Sequence, residues 1–233
     1  MKKSITIILI GCIVLSMVGC EKEDKTTDAY KFKEEYESLN GEKSSSGKIM
    51  RTISIPKDNP MKYATAEEIV EKIENKETFV VYFGFAKCPW CRSMIEQLIQ
   101  SAKDNNVKEI YYVDVLEIRD TYQLEEDGTI SKTKDGTESY TTLLEKIGDV
   151  LSDYTLTDEN EQKILVGEKR IYAPNVVVIV KGTAEKMVEG TSEKLKDPYE
   201  ELTEEMKKES YNSFKCLWEC IEEGANICRK NAC

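Results

Sequence analysis

Two cysteines, Cys88 and Cys91, stand three apart in the run Phe85-Ala86-Lys87-Cys88-Pro89-Trp90-Cys91-Arg92. That spacing suits a zinc half-site, a structural disulfide or a redox-active dithiol. The chain contains no histidine. This removes the Cys–His nucleophile pair, the Ser–His–Asp triad and any histidine metal site. Zinc at Cys88 and Cys91 would need two further thiolates or carboxylates, so no metal is expected there. A structural bridge would close a very small loop and stabilise little. The redox reading has a mechanism. A thiol at a helix start meets outward-pointing N–H groups and the positive end of the dipole, which favours thiolate over thiol. Lys87 adds a nearby positive charge. Cys88 is therefore the candidate nucleophile, and Pro89 suits the first helical turn. Cys91, one turn further in, can resolve a mixed disulfide formed at Cys88. Trp90 either caps the core or shapes a substrate-docking surface beside the thiol.

The elements around this pair read as alternating strands and helices. Residues 78–85 (TFVVYFGF) form an apolar run suited to a strand buried on both faces. From Pro89, the residues Met94, Ile95, Leu98 and Ile99 make one helical stripe ending near Asn105. Residues 48–55 alternate as a strand should, and 65–75 open with a Thr65/Glu68 capping box. A strand is expected over 109–117 and a helix over about 140–151. An interior strand follows over 175–180, with a return strand over 183–190. A long helix is expected over 202–224. The pattern predicts an α/β fold, with a mixed sheet flanked by helices and a polar stretch of about 121–170 before the Pro174 strand.

The ends of the chain carry other signals. Lys2 and Lys3 precede an apolar run, Ile5 to Val18, as in a secretory signal. A transmembrane helix is the alternative, although the run is short against the roughly 20 apolar residues of a span. Met17-Val18-Gly19-Cys20 is similar to a bacterial lipobox, with Met for the usual Leu. Residues 1–19 would then be a lipoprotein signal peptide and Cys20 the lipidated N-terminus, with Leu9-Ile10-Gly11-Cys12 a poorer match. That places the protein at the cell membrane by a lipid anchor on the extracytoplasmic face, where disulfides are permitted. Residues 20–47, charged and ending in Ser44-Ser45-Ser46-Gly47, are expected to be a flexible tether to a domain spanning 48–215. The net charge of −11 becomes −13 once Lys2 and Lys3 are removed. Such a chain does not bind nucleic acid nonspecifically.

The tail, 216–233, holds Cys216, Cys220, Cys228 and Cys233. The first two share a helix face, and Gly224 follows as a C-cap would. Four cysteines allow three pairings. The nested structural disulfides 216–233 and 220–228 are preferred, with a metal site or a second redox relay as rivals.

Taken together, the strand–Cys-x-x-Cys–helix, the later X-Pro before an interior strand, the hairpin and the final helix resemble the thioredoxin family. More narrowly, the chain resembles the membrane-anchored thioredoxin-like lipoproteins of Gram-positive bacteria and the related bacteriocin transport accessory proteins. The resemblance covers about residues 48–222. It implies that Cys88 attacks, that Cys91 resolves and that Pro174 is a cis-proline facing them. It also implies that the Ala173 backbone pairs with an extended substrate. The chain departs from the family at Tyr82. Thioredoxin has a buried Asp at that position, six residues before its first cysteine, so water or Glu96 is left to take the Cys91 proton. The Cys88-to-Pro174 span is also about twice the thioredoxin spacing.

The function implied is an extracytoplasmic thiol–disulfide oxidoreductase, without a cofactor, acting on exported proteins with thiols or disulfides. As a reductase it would need a membrane thiol electron carrier. The alternative is a non-catalytic accessory or binding lipoprotein, or, more remotely, a handler of thiophilic metal. Complementation of a deletion by Cys88→Ser, Cys91→Ser protein would separate the first two.

Overall fold

The computed structural model describes residues 24–223. The expected signal peptide, Cys20, Cys228 and Cys233 lie outside the described residues, and with them both nested tail disulfides. A mixed five-stranded sheet in the order β1-β3-β2-β8-β9 forms the centre. Its strands are β1 (Met61–Tyr63), β2 (Phe79–Gly84), β3 (Ile110–Asp114), β8 (Asn175–Val180) and β9 (Thr183–Val188). The helices are α1 (Asp28–Glu37), α2 (Ala66–Glu74), α3 (Pro89–Asp104), α4 (Glu138–Ile147) and α5 (Glu204–Glu223). Between β3 and β8 lie two further hairpins, β4 (Thr121–Leu124) with β5 (Ile130–Lys134), and β6 (Asp153–Thr157) with β7 (Lys163–Lys169).

The central strand shows why the sheet is covered on both sides. β2 is buried along its whole length. It runs parallel to β3, pairing Val81 with Tyr111, and antiparallel to β8, pairing Phe83 with Asn175. Successive side chains point to opposite faces. Val80 and Tyr82 join a core with α1, α3 and α5, including Phe32, Met94 and Phe214. Phe79, Val81 and Phe83 join a second core with α2 and α4, including Ile69, Leu143 and Ile147. β8 divides the same way, with Val176 and Val178 on one face and Val177 and Ile179 on the other. A strand with two buried faces has no polar side to show, so its sequence is a continuous apolar run.

The N-terminal segment departs from the expectation of a tether. Residues 28–37 form α1, capped by Thr27, whose side chain accepts from the Tyr30 N–H. Phe32 and Tyr36, four apart and so on one helix face, are both fully buried. Their apolar area offsets the many charges around them. The strand expected over 48–55 is also corrected. This segment buries Met50, and then Ile53 and Ile55 in alternation, but it joins no sheet. Side chains take three of its N–H groups instead: Asn40 Oδ1 accepts from Ile53, Glu96 Oε1 from Ser54, and Glu37 Oε1 from Ile55. Alternation reports burial on one side, and it does not require a strand neighbour.

Candidate functional site

The dithiol sits where the C-terminal end of β2 meets the first turn of α3. Cys88 is the N-cap of α3, and Pro89 opens the helix. The Cys88 sulfur accepts the Cys91 N–H at 3.3 Å and donates its proton to the Ala173 carbonyl at 3.2 Å. Both cysteines are free thiols and both are buried, Cys88 at 4% exposure and Cys91 at 0%. Ala173 and Pro174 enter from the loop before β8, and the bond between them is cis. Asn175, the buried first residue of β8, steadies this loop. Its Oδ1 accepts the Tyr172 N–H at 2.7 Å, and its Nδ2 donates to the Pro174 carbonyl at 2.9 Å. The structure thus brings together Cys88, Cys91, Ala173 and Pro174.

The two thiols have opposite electrostatics. Hydrogen bonding from the Cys91 thiol, helped by the N–H groups of Cys91 and Trp90 and by the Arg119 charge, holds Cys88 below its ordinary value against burial. Burial pushes Cys91 well above its ordinary value, and the Cys88 thiolate beside it adds to the rise. One thiol is thus poised as thiolate while the other stays protonated. Lys87, expected to tune Cys88, is exposed. A cation acting on Cys88 is Arg119, whose guanidinium lies 5.2 Å from the centre of the Phe85 ring. Sequence reasoning missed Arg119 because it is 31 positions from Cys88 and stands in a polar segment.

Trp90 is half-buried and lines a groove of about 880 Å³ beside the dithiol. Tyr172, Ala173, Pro174 and Val188 form more of its wall, and Lys163 of β7 reaches its rim. The wall is concave and partly apolar, with Ala173 beside the Cys88 thiol, as a docking site for an extended peptide requires.

Behind the dithiol the site is polar and buried. Gly84 lets the Tyr82 side chain lie flat across β2, because a Cβ there would meet the Tyr82 hydroxyl at 2.3 Å. Tyr82 is fully buried and shares one core with Cys91, and its hydroxyl pairs with the Tyr36 hydroxyl at 2.8 Å. Glu96, one of the expected takers of the Cys91 proton, is committed elsewhere, accepting the Ser54 N–H at 2.9 Å. Five residues along a helix is a turn of about 140°, so it faces away from Cys91. Arg92 is buried next to the pair. It donates to the carbonyls of Tyr36 at 2.7 Å and Arg51 at 2.6 Å, tying α1 and the 48–55 segment to α3.

Among the described residues, no group of three or more Cys, Asp or Glu side chains is placed to hold a metal ion. No helix among them is long and apolar enough to cross a membrane. Cys216 and Cys220 lie on α5, which packs on the core that also holds Cys88 and Cys91, with their expected partners outside the described residues. No family model matches the chain, and no curated protein matches it.

Proposed function

We propose that this protein is a thiol–disulfide oxidoreductase of thioredoxin-like architecture, with Cys88 as attacking thiol and Cys91 as resolving thiol. One observation carries the reading. The Cys88 sulfur sits between the Cys91 N–H at 3.3 Å and the Ala173 carbonyl at 3.2 Å, at a helix start that stabilises its thiolate. A substrate disulfide laid along Ala173 would present a sulfur to Cys88. The thiolate attacks it, the substrate S–S bond breaks and one substrate thiolate leaves. Cys91 then attacks the Cys88 sulfur, the Cys88–Cys91 disulfide forms and the second substrate thiolate leaves. The substrate gains two electrons, which the dithiol gives up. Read backwards, the same steps oxidise a substrate dithiol.

The substrates proposed are exported proteins, because the N-terminal sequence reads as a lipoprotein signal with Cys20 as its lipid-bearing residue. The protein would work from a lipid anchor on the extracytoplasmic face of the membrane. A net charge of −11 argues against nucleic acid as a partner.

The test is catalysis of reduction of a protein disulfide by dithiothreitol. Catalytic amounts of the protein accelerate it, and Cys88→Ser protein does not. Equal rates with and without the protein would overturn the reading.

A further inference from the structure

The long stretch before Pro174 ends in the β6–β7 hairpin, and that hairpin is clamped to the loop that meets Cys88. The Tyr172 hydroxyl accepts the Thr155 N–H of β6 at 2.9 Å and donates to the Asp153 carbonyl at 3.3 Å. Asn175 holds the Tyr172 N–H, and Ala173 follows with its carbonyl on the Cys88 thiol. Arg170, between β7 and this loop, is buried. Its guanidinium pairs with Asp120 Oδ1 at 3.2 Å and lies 3.9 Å from the centre of the Tyr154 ring. A buried ion pair repays its desolvation only in a well-defined geometry, and this one sits at the root of the hairpin. The hairpin thus holds a set position beside the dithiol.

One face of the hairpin continues the groove wall. Across the two strands Thr155 pairs with Leu165, and Thr157 with Lys163. Lys163 and Leu165 are two apart in β7, so they point to the same side, roughly 7 Å from each other along the strand. Lys163 lines the groove with Trp90, Tyr172 and Pro174. Leu165, next along that face, is 63% exposed. The opposite face carries Leu156 and Ile164, paired across the strands and both half-buried. A single exposed leucine is ordinary on a protein surface. Position sets this one apart: it stands on a clamped hairpin at the mouth of the dithiol groove, whose wall already holds Trp90, Tyr172 and Val188.

We propose that the β6–β7 hairpin is a substrate-recognition arm, on which Leu165 receives an apolar side chain of an extended, unfolded polypeptide whose disulfide lies at Cys88. This rests on the oxidoreductase reading above and names the substrate class of that site. A groove of about 880 Å³, with Leu165 beyond its rim, offers more surface than a small disulfide covers. An unfolded chain fits it, because such a chain exposes the apolar side chains that folding would bury and can run extended from Ala173 to the hairpin. Lys163 stands between Leu165 and the groove, with an ammonium to donate to a main-chain carbonyl of the passing segment. The disulfide exchange is the one written above. The arm adds binding remote from the reacting sulfurs, so it acts on the concentration needed for saturation and not on the chemical step.

The experiment mixes reduced full-length protein with three disulfides over a range of concentrations. They are a small aromatic disulfide, an extended peptide disulfide with leucines flanking its cysteine, and the same peptide with serines in their place. The rate from Cys88→Ser, Cys91→Ser protein is subtracted to remove reaction at other cysteines. The leucine peptide should react about tenfold more efficiently than the serine peptide, the low end for one apolar contact in a specificity site. Leu165→Ser should erase most of this advantage by raising the half-saturating concentration, with the maximal rate and the small-disulfide rate unchanged. The exposure of Leu165 keeps the fold out of this comparison, and Leu165→Met should retain the advantage. Ile49→Ser, which removes an exposed apolar side chain outside the groove wall, should leave it intact. An advantage that is missing in the unmodified protein, or that survives Leu165→Ser, overturns the arm. So does a dimer in sedimentation that Leu165→Ser dissociates, since a second copy would then cover Leu165. Failure of the unmodified protein to reduce even the small disulfide overturns the oxidoreductase reading itself.

Discussion

The Cys88 sulfur lies 3.2 Å from the carbonyl oxygen of Ala173, across 85 positions of sequence. A carbonyl is a fit partner for a thiol and a poor one for a thiolate. The N–H groups at the start of α3 favour the opposite state. Cys88 therefore stands between two environments, one holding its proton and one inviting its loss. With Cys91 sealed behind it, the two thiols should differ sharply in reactivity. Iodoacetamide should modify Cys88 and leave Cys91 intact in the reduced protein. The rate should rise with pH to a midpoint below the ordinary thiol value of 9.0. Peptide mass mapping across a pH series checks this, and equal labelling of the two cysteines would count against it.

Arg119 is a cation that acts on Cys88, and its guanidinium is held over Phe85. Arg119→Gln should raise the Cys88 pKa and slow alkylation at neutral pH, by less than about tenfold given that one pKa unit is a tenfold effect. Lys87→Gln, at an exposed position, should slow it less. The same alkylation assay decides, and the reverse ranking would restore Lys87 as the tuning charge.

The lowered Cys88 pKa also bears on stability. A group whose folded pKa lies below its unfolded one contributes stability that is complete above the unfolded value and lost as pH falls through the folded one. For Cys88 the unfolded value is the ordinary 9.0. The unfolding free energy of the reduced protein, minus that of Cys88→Ser, should therefore climb with pH up to about that value and then level off. Urea unfolding across that range measures it. A flat difference would mean that the folded site does not stabilise the thiolate.

The burial of α1 predicts a large effect far from the cysteines. Phe32 is fully buried and stacks on Tyr36 at 4.4 Å between centroids. Phe32→Ala should cost about 3–5 kcal/mol, the usual range for removing a buried aromatic ring. Denaturant unfolding reads this directly. A cost under about 1 kcal/mol, the size of a surface change, would return α1 to the role of a loose tether.

Much of the site was legible because its signals are local. β2 and β8 are unbroken apolar runs, and β8 spans the residues 175–180 expected of it. Thr65 and Glu68 form the capping box read from their spacing. Cys88, Pro89 and Cys91 fall at a strand-to-helix junction, as their types and order suggested. The residues that remained hidden act across long separations. Phe32 and Tyr36 are two aromatics in a charged stretch, and only their four-residue spacing and the Thr27 cap marked a helix. β1 has three residues, too few to show a period. The β6–β7 hairpin is mostly exposed, and Tyr154 is its one buried side chain, so its strands carry only a weak apolar signal. Tyr82 was visible as a departure from thioredoxin, but its partner Tyr36 could be joined to it only by the folding of α1 onto the sheet.

The central claim is that Cys88 and Cys91 form a reversible redox couple. The most direct measurement equilibrates the protein in graded reduced and oxidised glutathione, quenches by acid and quantifies the Cys88–Cys91 disulfide by thiol trapping and mass spectrometry. The account predicts a single two-electron transition with a potential between about −270 mV, as in thioredoxin, and about −120 mV, as in strong oxidants. A value near the lower end would mark a reductase and one near the upper end an oxidase. A pair that stays dithiol, or stays disulfide, at every glutathione ratio would contradict the account.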